Sequence, residues 1–400
     1  MIYTSSCARF RGSDCALKVL VVHVSLNSAG GGERICLSVI KALHRCGNWV
    51  KLATVDKPDW YRLKMIFGEI ATPDDEFYIF SILPKMPSSI LGSALLVAFF
   101  WAELFFCKFA GGYDLIINTC GEKIDSIADV TYFSGVPLRC ASFLEETAAK
   151  RKCIGILYDR ILRIFDKTNN SLMVAQGIFH KTLIRKCSEK ELLIINPPVN
   201  TGKFRHLATR RRNENIVVTF SQYSPTQNLT LIPRIAKIVK NGNFLIVGPS
   251  RTASNDTIEE LHRLIAELSV EDRVELLTNQ PFSKLVEFLS RGKVFLRTLN
   301  HEPFGIAVVE AMAAGCVPVV PRDGGPWYDI LGQEQGKYGY SYATVEEAAH
   351  YTEMLLANEP LRMEISKRAQ KRAPDFDGAL FEKRTQDLVG NLLATKSAGC

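Results

Sequence analysis

The sequence predicts an α/β protein with two open parallel sheets, each flanked by helices, that face one another across a ligand cleft. Its 400 residues are 47% hydrophobic and 23% charged, which suits two globular domains of ordinary size. Predicted strands alternate with predicted helices in both halves, and this alternation is typical of parallel sheets. The proline-containing run Asn196–Asn200 interrupts the pattern and indicates a linker. We predict an N-terminal Rossmann-like domain over residues 1–195, a C-terminal Rossmann-like domain over 196–375, and a terminal helix over 376–400 that packs back on the first domain.

The first domain opens with a strand, a glycine loop and a helix. Lys18–Leu26 reads as the strand, Asn27–Glu33 as the loop and Arg34–Arg45 as a helix that ends near Gly47. A later strand is predicted over Tyr113–Asn118. Backbone amides of such a loop can approach a phosphate closely, although the G-x-G-x-x-G fingerprint of dinucleotide sites is absent.

The second domain repeats the alternation of strands and helices. Its predicted elements are the strands Ile216–Ser221 and Phe244–Gly248, the helix Ile258–Leu268, the strand Arg273–Leu277, the helix Ser283–Ser290 and the strand Lys293–Thr298. Ligands of open parallel sheets bind at the carboxyl ends of the strands, so the loops that follow these strands are the candidate site.

The most informative stretch is Asn300–Pro326, which holds Glu302 and Glu310 with seven residues between them. Gly305 permits a tight turn into a short helix, and Gly315 stands where a left-handed helix cap belongs. Residues three and four positions from the second glutamate are apolar: Ile306, Ala307, Ala313 and Ala314. A carboxylate on such a face is costly unless donors bind it, and ribose hydroxyls would do so. A distant Lys or Arg is the alternative partner.

The buried strand Val317–Val320 and the turn Asp323–Pro326 complete this stretch. Together with the two spaced glutamates, the ending GGPWYDIL resembles the donor-site motif of retaining GT-B glycosyltransferases of family four. It is most similar to the branch that extends dolichol-linked oligosaccharides in archaea and eukaryotes. The resemblance implies transfer of a hexose, of the mannose or glucose type, from a nucleotide-diphosphate sugar to a lipid-linked or other glycan with retention of configuration. It also implies that the N-terminal domain binds the acceptor, that the C-terminal domain binds the nucleotide sugar, and that no metal or other cofactor takes part.

The resemblance assigns roles to the motif. Glu302 and the amides of Phe304, Gly305 and Ile306 are expected to hold the transferred sugar, and Glu310 is expected to take two ribose hydroxyls. The first of these glutamates is the expected catalytic carboxylate. Front-face attack assisted by the leaving phosphate would make electrostatic stabilisation and positioning the main catalytic terms.

The same resemblance also assigns roles to several glycines. Gly30, Gly31 and Gly32 match the N-terminal glycine loop of the family, which lies over the phosphates and the reacting sugar of the donor. Gly31 is therefore expected to be catalytic and its two neighbours to bind the donor. Gly248 would be passed by the nucleotide, and the loop Thr278–Phe282 would lie near the base.

The chain departs from the family at the diphosphate. Members usually carry an Arg and a Lys after the first strand of the second domain, whereas this chain has Gln222 and Gln227 there. Neutral amides do not offset the charge of a departing diphosphate as cations do. Arg251 and Arg297 are the candidate replacements. The histidine that the family places near the acceptor is also absent, since Val130–Pro137 reads VTYFSGVP.

These departures keep two other functions open: a catalytically weak GT-B subunit that binds sugar nucleotide or a partner glycosyltransferase, and a sugar-nucleotide 2-epimerase. Walker, H-E-x-x-H, nucleophile-elbow and protein-kinase motifs do not occur. Paired carboxylates also occur in glycosidases, but here nucleotide-site signals surround them. The choice between a UDP-linked and a GDP-linked donor is open.

Peripheral attachment to the cytoplasmic face of a membrane is expected. Ile90–Cys107 is apolar apart from Glu103 and is just short of a spanning length, which favours a buried or interfacial helix over a span. The basic run Arg210–Arg212 is most simply a solvated loop, with contact to anionic lipid headgroups as the alternative.

Bulk composition excludes several classes of protein. A net charge of +7 is too weak to indicate nucleic-acid binding. The eleven cysteines include no C-x-x-C pair, which argues against a disulfide framework or zinc ribbon and for a reducing compartment. Met1–Leu17 shows no secretory signal. His23 is expected to be a satisfied core residue, with a role as a base as the alternative.

Overall fold

The structure is a computed structural model that describes residues 16–28, 30–78, 112–121, 127–137, 140, 171–250 and 255–398. The apolar segment Ile90–Cys107 and the candidate cation Arg251 lie outside the described residues. The chain forms two compact units. The first comprises residues 1–176, 180–198 and 378–400, and the second comprises residues 177–179 and 199–377.

Thirteen strands are present in the described part of the chain. They are β1 (Lys18–Val22), β2 (Trp49–Thr54), β3 (Asp75–Tyr78), β4 (Leu115–Asn118), β5 (Val130–Tyr132), β6 (Leu172–Ala175), β7 (Leu192–Ile194), β8 (Ile216–Phe220), β9 (Asn243–Gly248), β10 (Val274–Thr278), β11 (Val294–Leu296), β12 (Val317–Pro321) and β13 (Tyr340–Tyr342).

Eleven α-helices accompany these strands within the described residues. They are α1 (Gly31–Arg45), α2 (Trp60–Phe67), α3 (Ile178–Arg185), α4 (Thr201–Arg205), α5 (Leu231–Ile238), α6 (Asn255–Glu267), α7 (Phe282–Arg291), α8 (Ile306–Ala314), α9 (Val345–Ala357), α10 (Glu359–Arg372) and α11 (Gly378–Ala398). A π-helical turn occupies Pro326–Ile330.

The first unit contains a parallel sheet of seven strands in the order β3-β2-β1-β4-β5-β6-β7. The strand order reverses between β1 and β4, which makes the carboxyl ends of these two strands the ligand position of an open sheet. The C-terminal helix α11 belongs to this unit, where Phe381 and Val389 enter the same buried cluster as α1. The buried Glu382 of α11 pairs with Lys41 at 2.8 Å and also with Arg45, both on α1.

The second unit contains a parallel sheet of six strands in the order β10-β9-β8-β11-β12-β13. Its reversal lies between β8 and β11. Two separate apolar clusters cover the sheet, one of which includes α7 and α8 and the other α5 and α9. Sequence and structure therefore agree on two Rossmann-like sheets.

The boundary of α1 differs from the sequence prediction, because the helix begins at Gly31 and not at Arg34. Glu33 accounts for the earlier start. Its Oε2 accepts a hydrogen bond from the backbone amide of Gly30 at 2.7 Å. This bond satisfies one of the N–H donors that are left without a partner at the start of a helix. Gly31 and Gly32 thus form the first turn of the helix instead of a free loop.

The prediction of a solvated loop at Arg210–Arg212 is wrong for Arg212, which is 6% exposed. Its Nε donates to the carbonyl of Gly292 at 2.7 Å, and its NH2 donates to the carbonyls of Leu289 and Ala314. These carbonyls stand at the carboxyl ends of α7 and α8, where unpaired acceptors and partial negative charge favour a cation. Arg212 therefore fixes the end of α8 opposite to the candidate site.

A disulfide joins Cys140 and Cys187 in the first unit, whereas the cysteine pattern had argued against a disulfide framework and for a reducing compartment. The two cysteines are 47 residues apart in sequence, and no local motif marks such a pair. Cys36 and Cys316 are buried thiols outside this disulfide in the described part of the chain.

The segments described by the structure include no helix that combines the length and the apolar character of a membrane span.

Candidate functional site

The candidate site of the second unit lies where β8 and β11 end, at the reversal of strand order. The loop after β11 carries Glu302 and leads into α8. Gly305 precedes this helix with φ 106° and Gly315 follows it with φ 93°, so both occupy the left-handed region that favours glycine. The predicted left-handed cap at the end of α8 is confirmed.

The glycine pair after β12 packs directly beneath Glu302. A Cβ on Gly324 would lie 2.9 Å from the carbonyl oxygen of Glu302, and one on Gly325 would lie 2.5 Å from Cα of Phe304. The amide of Gly325 donates to the carbonyl of Glu302 at 2.7 Å. Both glycines are therefore required to hold the start of α8 against the strand ends.

Arg297 binds Glu302 through two charged hydrogen bonds. Nε donates to Oε2 at 2.7 Å and NH2 donates to Oε1 at 2.9 Å, which is the bidentate geometry of a strong arginine–carboxylate pair. NH1 donates to the carbonyl of Phe220 at 3.1 Å, so the guanidinium joins the ends of β8 and β11. The side chains of Arg297 and Glu302 are 8% and 13% exposed.

This pairing changes the role expected for Arg297. The sequence offered it as a replacement cation for the diphosphate, but its charge is compensated by Glu302 and its donors are engaged. A neutral pair does not supply the net positive charge that a departing diphosphate needs. Arg297 therefore positions the carboxylate of Glu302.

The two glutamines sit on the turn after β8. The carbonyl oxygen of the Gln227 side chain accepts from Ser221 Oγ at 2.8 Å, and its backbone carbonyl accepts from Thr298 Oγ1 at 2.7 Å. Gln222 is exposed. The bond from Ser221 orients the side-chain amide of Gln227 so that its N–H groups point away from Ser221, which leaves neutral donors where the resemblance implied cations.

Gly248, at the end of β9, is constrained by the neighbouring strand. A Cβ there would lie 1.7 Å from the carbonyl oxygen of Ser221, so no other residue fits without a backbone shift. The following turn is tied to the same point, because the amide of Asn279 donates to the carbonyl of Gly248 at 2.9 Å. Asn279 itself has φ 51°.

Glu310 lies one turn into α8. Its side chain is half-buried, and Ile306 and Ala307 on the same face are also half-buried, whereas Ala313 and Ala314 are buried. The apolar face predicted around this carboxylate is therefore partly open at the end of the helix nearest the strand ends. The desolvation cost of the carboxylate is partial for the same reason.

Sequence reasoning missed the pair formed by His301 and Asp323. His301 has φ 54°, and both its amide and its Nδ1 lie 2.7 Å from Oδ2 of Asp323. Burial raises the pKa of Asp323, but the hydrogen bonds and charge of His301 outweigh it and hold the pKa below its ordinary value. The sequence signals that were available are the position of Asp323 just before a glycine pair and that of His301 just before Glu302.

The glycine loop of the first unit lies beside a second polar cluster. His23 follows β1 and is 4% exposed, and its Nδ1 lies 2.9 Å from Thr119 Oγ1. On its other side, Nε2 lies 3.8 Å from Oε1 of Glu33. A Cβ on Gly32 would lie 3.3 Å from Cβ of Ser134, so the helix start approaches the chain after β5 closely.

Comparison with known proteins relates the second unit to a known family. Residues 203–372 match the model described as glycosyl transferases group 1. This part of the chain is therefore similar to the glycosyl transferases group 1 domain. The chain is 29% identical to a Dictyostelium discoideum protein named GDP-Man:Man(3)GlcNAc(2)-PP-Dol alpha-1,2-mannosyltransferase, over 66% of this chain and 55% of the relative. The Homo sapiens protein of the same name is 28% identical over 47% of this chain and 42% of its own length. The chain thus matches about half the length of these relatives.

Solved structures establish the fold of the chain. HepE from Anabaena, in complex with UDP and glucose, has a TM-score of 0.70 at 18% identity and covers 94% of this chain and 100% of its own. Sucrose-phosphate synthase from Thermosynechococcus elongatus has a TM-score of 0.75 at 16% identity. The match covers 95% of this chain and 100% of the synthase chain. The predicted GT-B fold is confirmed, and the resemblance to group 1 glycosyltransferases is confirmed by the family match.

Proposed function

We propose that the chain transfers mannose from GDP-mannose to a lipid-linked oligosaccharide, with retention of configuration. The observation that carries the proposal is the placement of Glu302 and Glu310 on α8 and the loop before it, at the strand reversal of a group 1 glycosyltransferase domain. The names of the relatives support the choice of mannose, of GDP and of a dolichol-linked acceptor.

The donor is held by groups of different chemistry. Glu310 accepts hydrogen bonds from ribose hydroxyls on the open face of α8. The amides of Phe304, Gly305 and Ile306, together with the dipole of α8, bind the sugar and its phosphate. Glu302 accepts from hydroxyls of the mannose, and Arg297 fixes the carboxylate so that little reorganisation is needed during transfer.

Departure of the diphosphate relies on neutral donors. The side-chain N–H groups of Gln222 and Gln227 and the amides at the start of α8 stabilise the developing charge without a metal ion. This arrangement is weaker than a pair of cations, because charge-assisted hydrogen bonds are about twice as strong as neutral ones. The lack of cations at the diphosphate favours one alternative function, that of a subunit that binds sugar nucleotide but transfers the sugar slowly or not at all.

Glu310→Gln tests the donor site. We expect the affinity for GDP to fall by about 1–3 kcal/mol, because a charged acceptor of two hydroxyls becomes a neutral one with half the acceptor capacity. Isothermal titration of GDP measures this change. Glu353→Gln removes a charge from an exposed position on α9 of the same unit and serves as the matched control. Unchanged GDP affinity in a folded Glu310→Gln variant would show that Glu310 does not bind the ribose.

Peripheral attachment to the cytoplasmic face of a membrane is part of the proposal, because a lipid-linked acceptor lies in a bilayer and the chain has a net charge of +7. We expect the protein to float with vesicles that contain phosphatidylserine. Raised salt is expected to release only a part of it, since apolar burial is not screened. Vesicles of phosphatidylcholine alone are the control. A protein that stays unbound to both vesicle types at low salt would contradict the attachment.

A further inference from the structure

Helix α2 carries apolar side chains on two opposite faces. On the inner face Leu63 is buried, and Trp60 and Phe67 pack against the core cluster that includes α1. Residues four apart share a face of a helix, so Tyr61 and Met65 form the opposite face. These two side chains are 78% and 66% exposed, more than any other large hydrophobic side chain that the structure describes. The core of the first unit accounts for only one of the two faces.

Cations flank the exposed apolar face of α2. At about 100° per residue, Arg62 lies on one side of Tyr61 and Met65, and Lys64 lies on the other. Both cations are exposed, and no ion pair within the described segments involves either of them. The helix itself contains no acidic residue, and the carboxylate of its N-cap Asp59 accepts from the amide of Arg62. The outward face is therefore an apolar pair between two positive charges.

A face of this composition is complementary to an anionic membrane surface. Apolar side chains enter the boundary between headgroups and acyl chains, and lysine and arginine beside them meet the anionic headgroups. A stable protein interface, in contrast, takes roughly 20–30 residues a side, and lysine is depleted in its core. Two apolar side chains between cations are too few for such an interface, so the face favours a lipid surface over a protein partner.

The start of α2 is fixed to the loop that follows β1. The amide of Asp59 donates to Asn27 Oδ1 at 2.8 Å, and NH1 of Arg62 donates to the carbonyl of Asn27 at 3.3 Å. β1 borders the strand reversal of the first sheet, which is the edge at which an open sheet takes its ligand. A bilayer bound to α2 is thereby held near this edge.

We propose that the outward face of α2 docks on an anionic membrane surface, with Tyr61 and Met65 at the boundary of the acyl chains and with Arg62 and Lys64 at the headgroups. This inference rests on the proposed function, in which a lipid-linked acceptor reaches the chain from a bilayer, and it assigns the membrane contact to one helix of the first unit.

The double variant Tyr61→Ser/Met65→Ser removes the apolar part of the contact. In flotation of the full chain with vesicles of phosphatidylcholine and phosphatidylserine, we expect the vesicle affinity to fall about tenfold, because apolar burial contributes to interfacial binding. Ile238→Ser/Met363→Ser is the matched control and is expected to stay within twofold of the wild type, since these side chains are 41% and 45% exposed in the second unit. A Tyr61→Ser/Met65→Ser variant with wild-type vesicle affinity would overturn the inference.

The double variant Arg62→Gln/Lys64→Gln tests the charges separately. We expect weaker binding to the same vesicles and a smaller effect of added salt, because two of the charges that salt screens are removed. Lys367→Gln/Lys371→Gln removes two exposed charges, four residues apart, from α10 of the second unit and is the matched control. An unchanged salt dependence in Arg62→Gln/Lys64→Gln would overturn the assignment of the headgroup contact to α2.

Tyr61→Trp tests the contact without the removal of any apolar surface. Tryptophan favours the membrane interface, so we expect the vesicle affinity to rise several-fold and the added fluorescence to be quenched by brominated lipids. Fluorescence that stays unquenched on the bound vesicles would show that position 61 does not reach the bilayer and would overturn the inference.

Transfer in detergent micelles separates the membrane contact from the proposed reaction. We expect Tyr61→Ser/Met65→Ser to transfer mannose at the wild-type rate in micelles and more slowly in vesicles. A wild-type chain that binds vesicles through α2 but transfers no mannose would overturn the proposed reaction alone. A variant that binds vesicles as the wild type does, but self-associates less in analytical ultracentrifugation, would assign the face to a second copy of the chain and overturn the membrane contact alone.

Discussion

We expect Arg297→Ala to lower kcat about 100-fold or more, although Arg297 does not itself contact the substrate in the proposed site. Its removal leaves the carboxylate of Glu302 without its bidentate partner at 13% exposure. Truncating one partner of a buried charged pair costs about 3–5 kcal/mol, part of which reports the stranded charge. Steady-state rates with the donor saturating, and denaturant unfolding of the same variant, measure the two parts of the effect.

The double variant Arg297→Gln/Glu302→Gln is the control for this result. It replaces the ion pair by two neutral amides of similar size, so we expect much of the stability to return while kcat stays low. Recovery of activity in the double variant would mean that Glu302 acts only through its salt bridge. An Arg297→Ala variant with wild-type kcat would show that the catalytic carboxylate lies elsewhere.

Arg212→Ala is expected to destabilise the second unit by about 3–5 kcal/mol. Three carbonyls at the ends of α7 and α8 lose their common donor in the interior, and unsatisfied buried acceptors are costly. Chemical denaturation monitored by circular dichroism measures the loss. Arg211→Ala is the matched control, because Arg211 is its exposed neighbour and an exposed substitution changes stability by about 0.5 kcal/mol or less. Equal stability of the two variants would contradict the role of Arg212 in fixing α8.

The sequence predicted features of the site that depend on local backbone geometry. The left-handed cap at Gly315 followed from the rules of helix ends, and Gly305 and the Gly324-Gly325 pair were singled out for the same kind of reason. Alternation of strands and helices was sufficient for the two parallel sheets. Element ends were less accurate, as at α1, because a side chain three residues on decides where the helix starts.

Partners joined across the fold were not predictable in the same way. The interaction of Arg297 with Glu302 depends on the path of a loop, and no pattern in the sequence distinguishes it from a free cation. Arg212 looked like part of a basic surface run because its three carbonyl acceptors come from helices that lie 77 and 102 residues away in sequence. Cys140 and Cys187 belong to the same class of non-local contacts.

The most direct test of the central claim is the transfer of radiolabelled mannose from GDP-mannose to a dolichol-linked Man3GlcNAc2 acceptor by the purified chain in vesicles. We predict a product one mannose longer, formed without added metal and in the presence of a chelator, and lost in the Glu302→Gln variant. The claim would be contradicted if the wild type bound GDP but transferred no more mannose than the Glu302→Gln variant. That result would identify the chain as a GT-B protein that binds sugar nucleotide without using it.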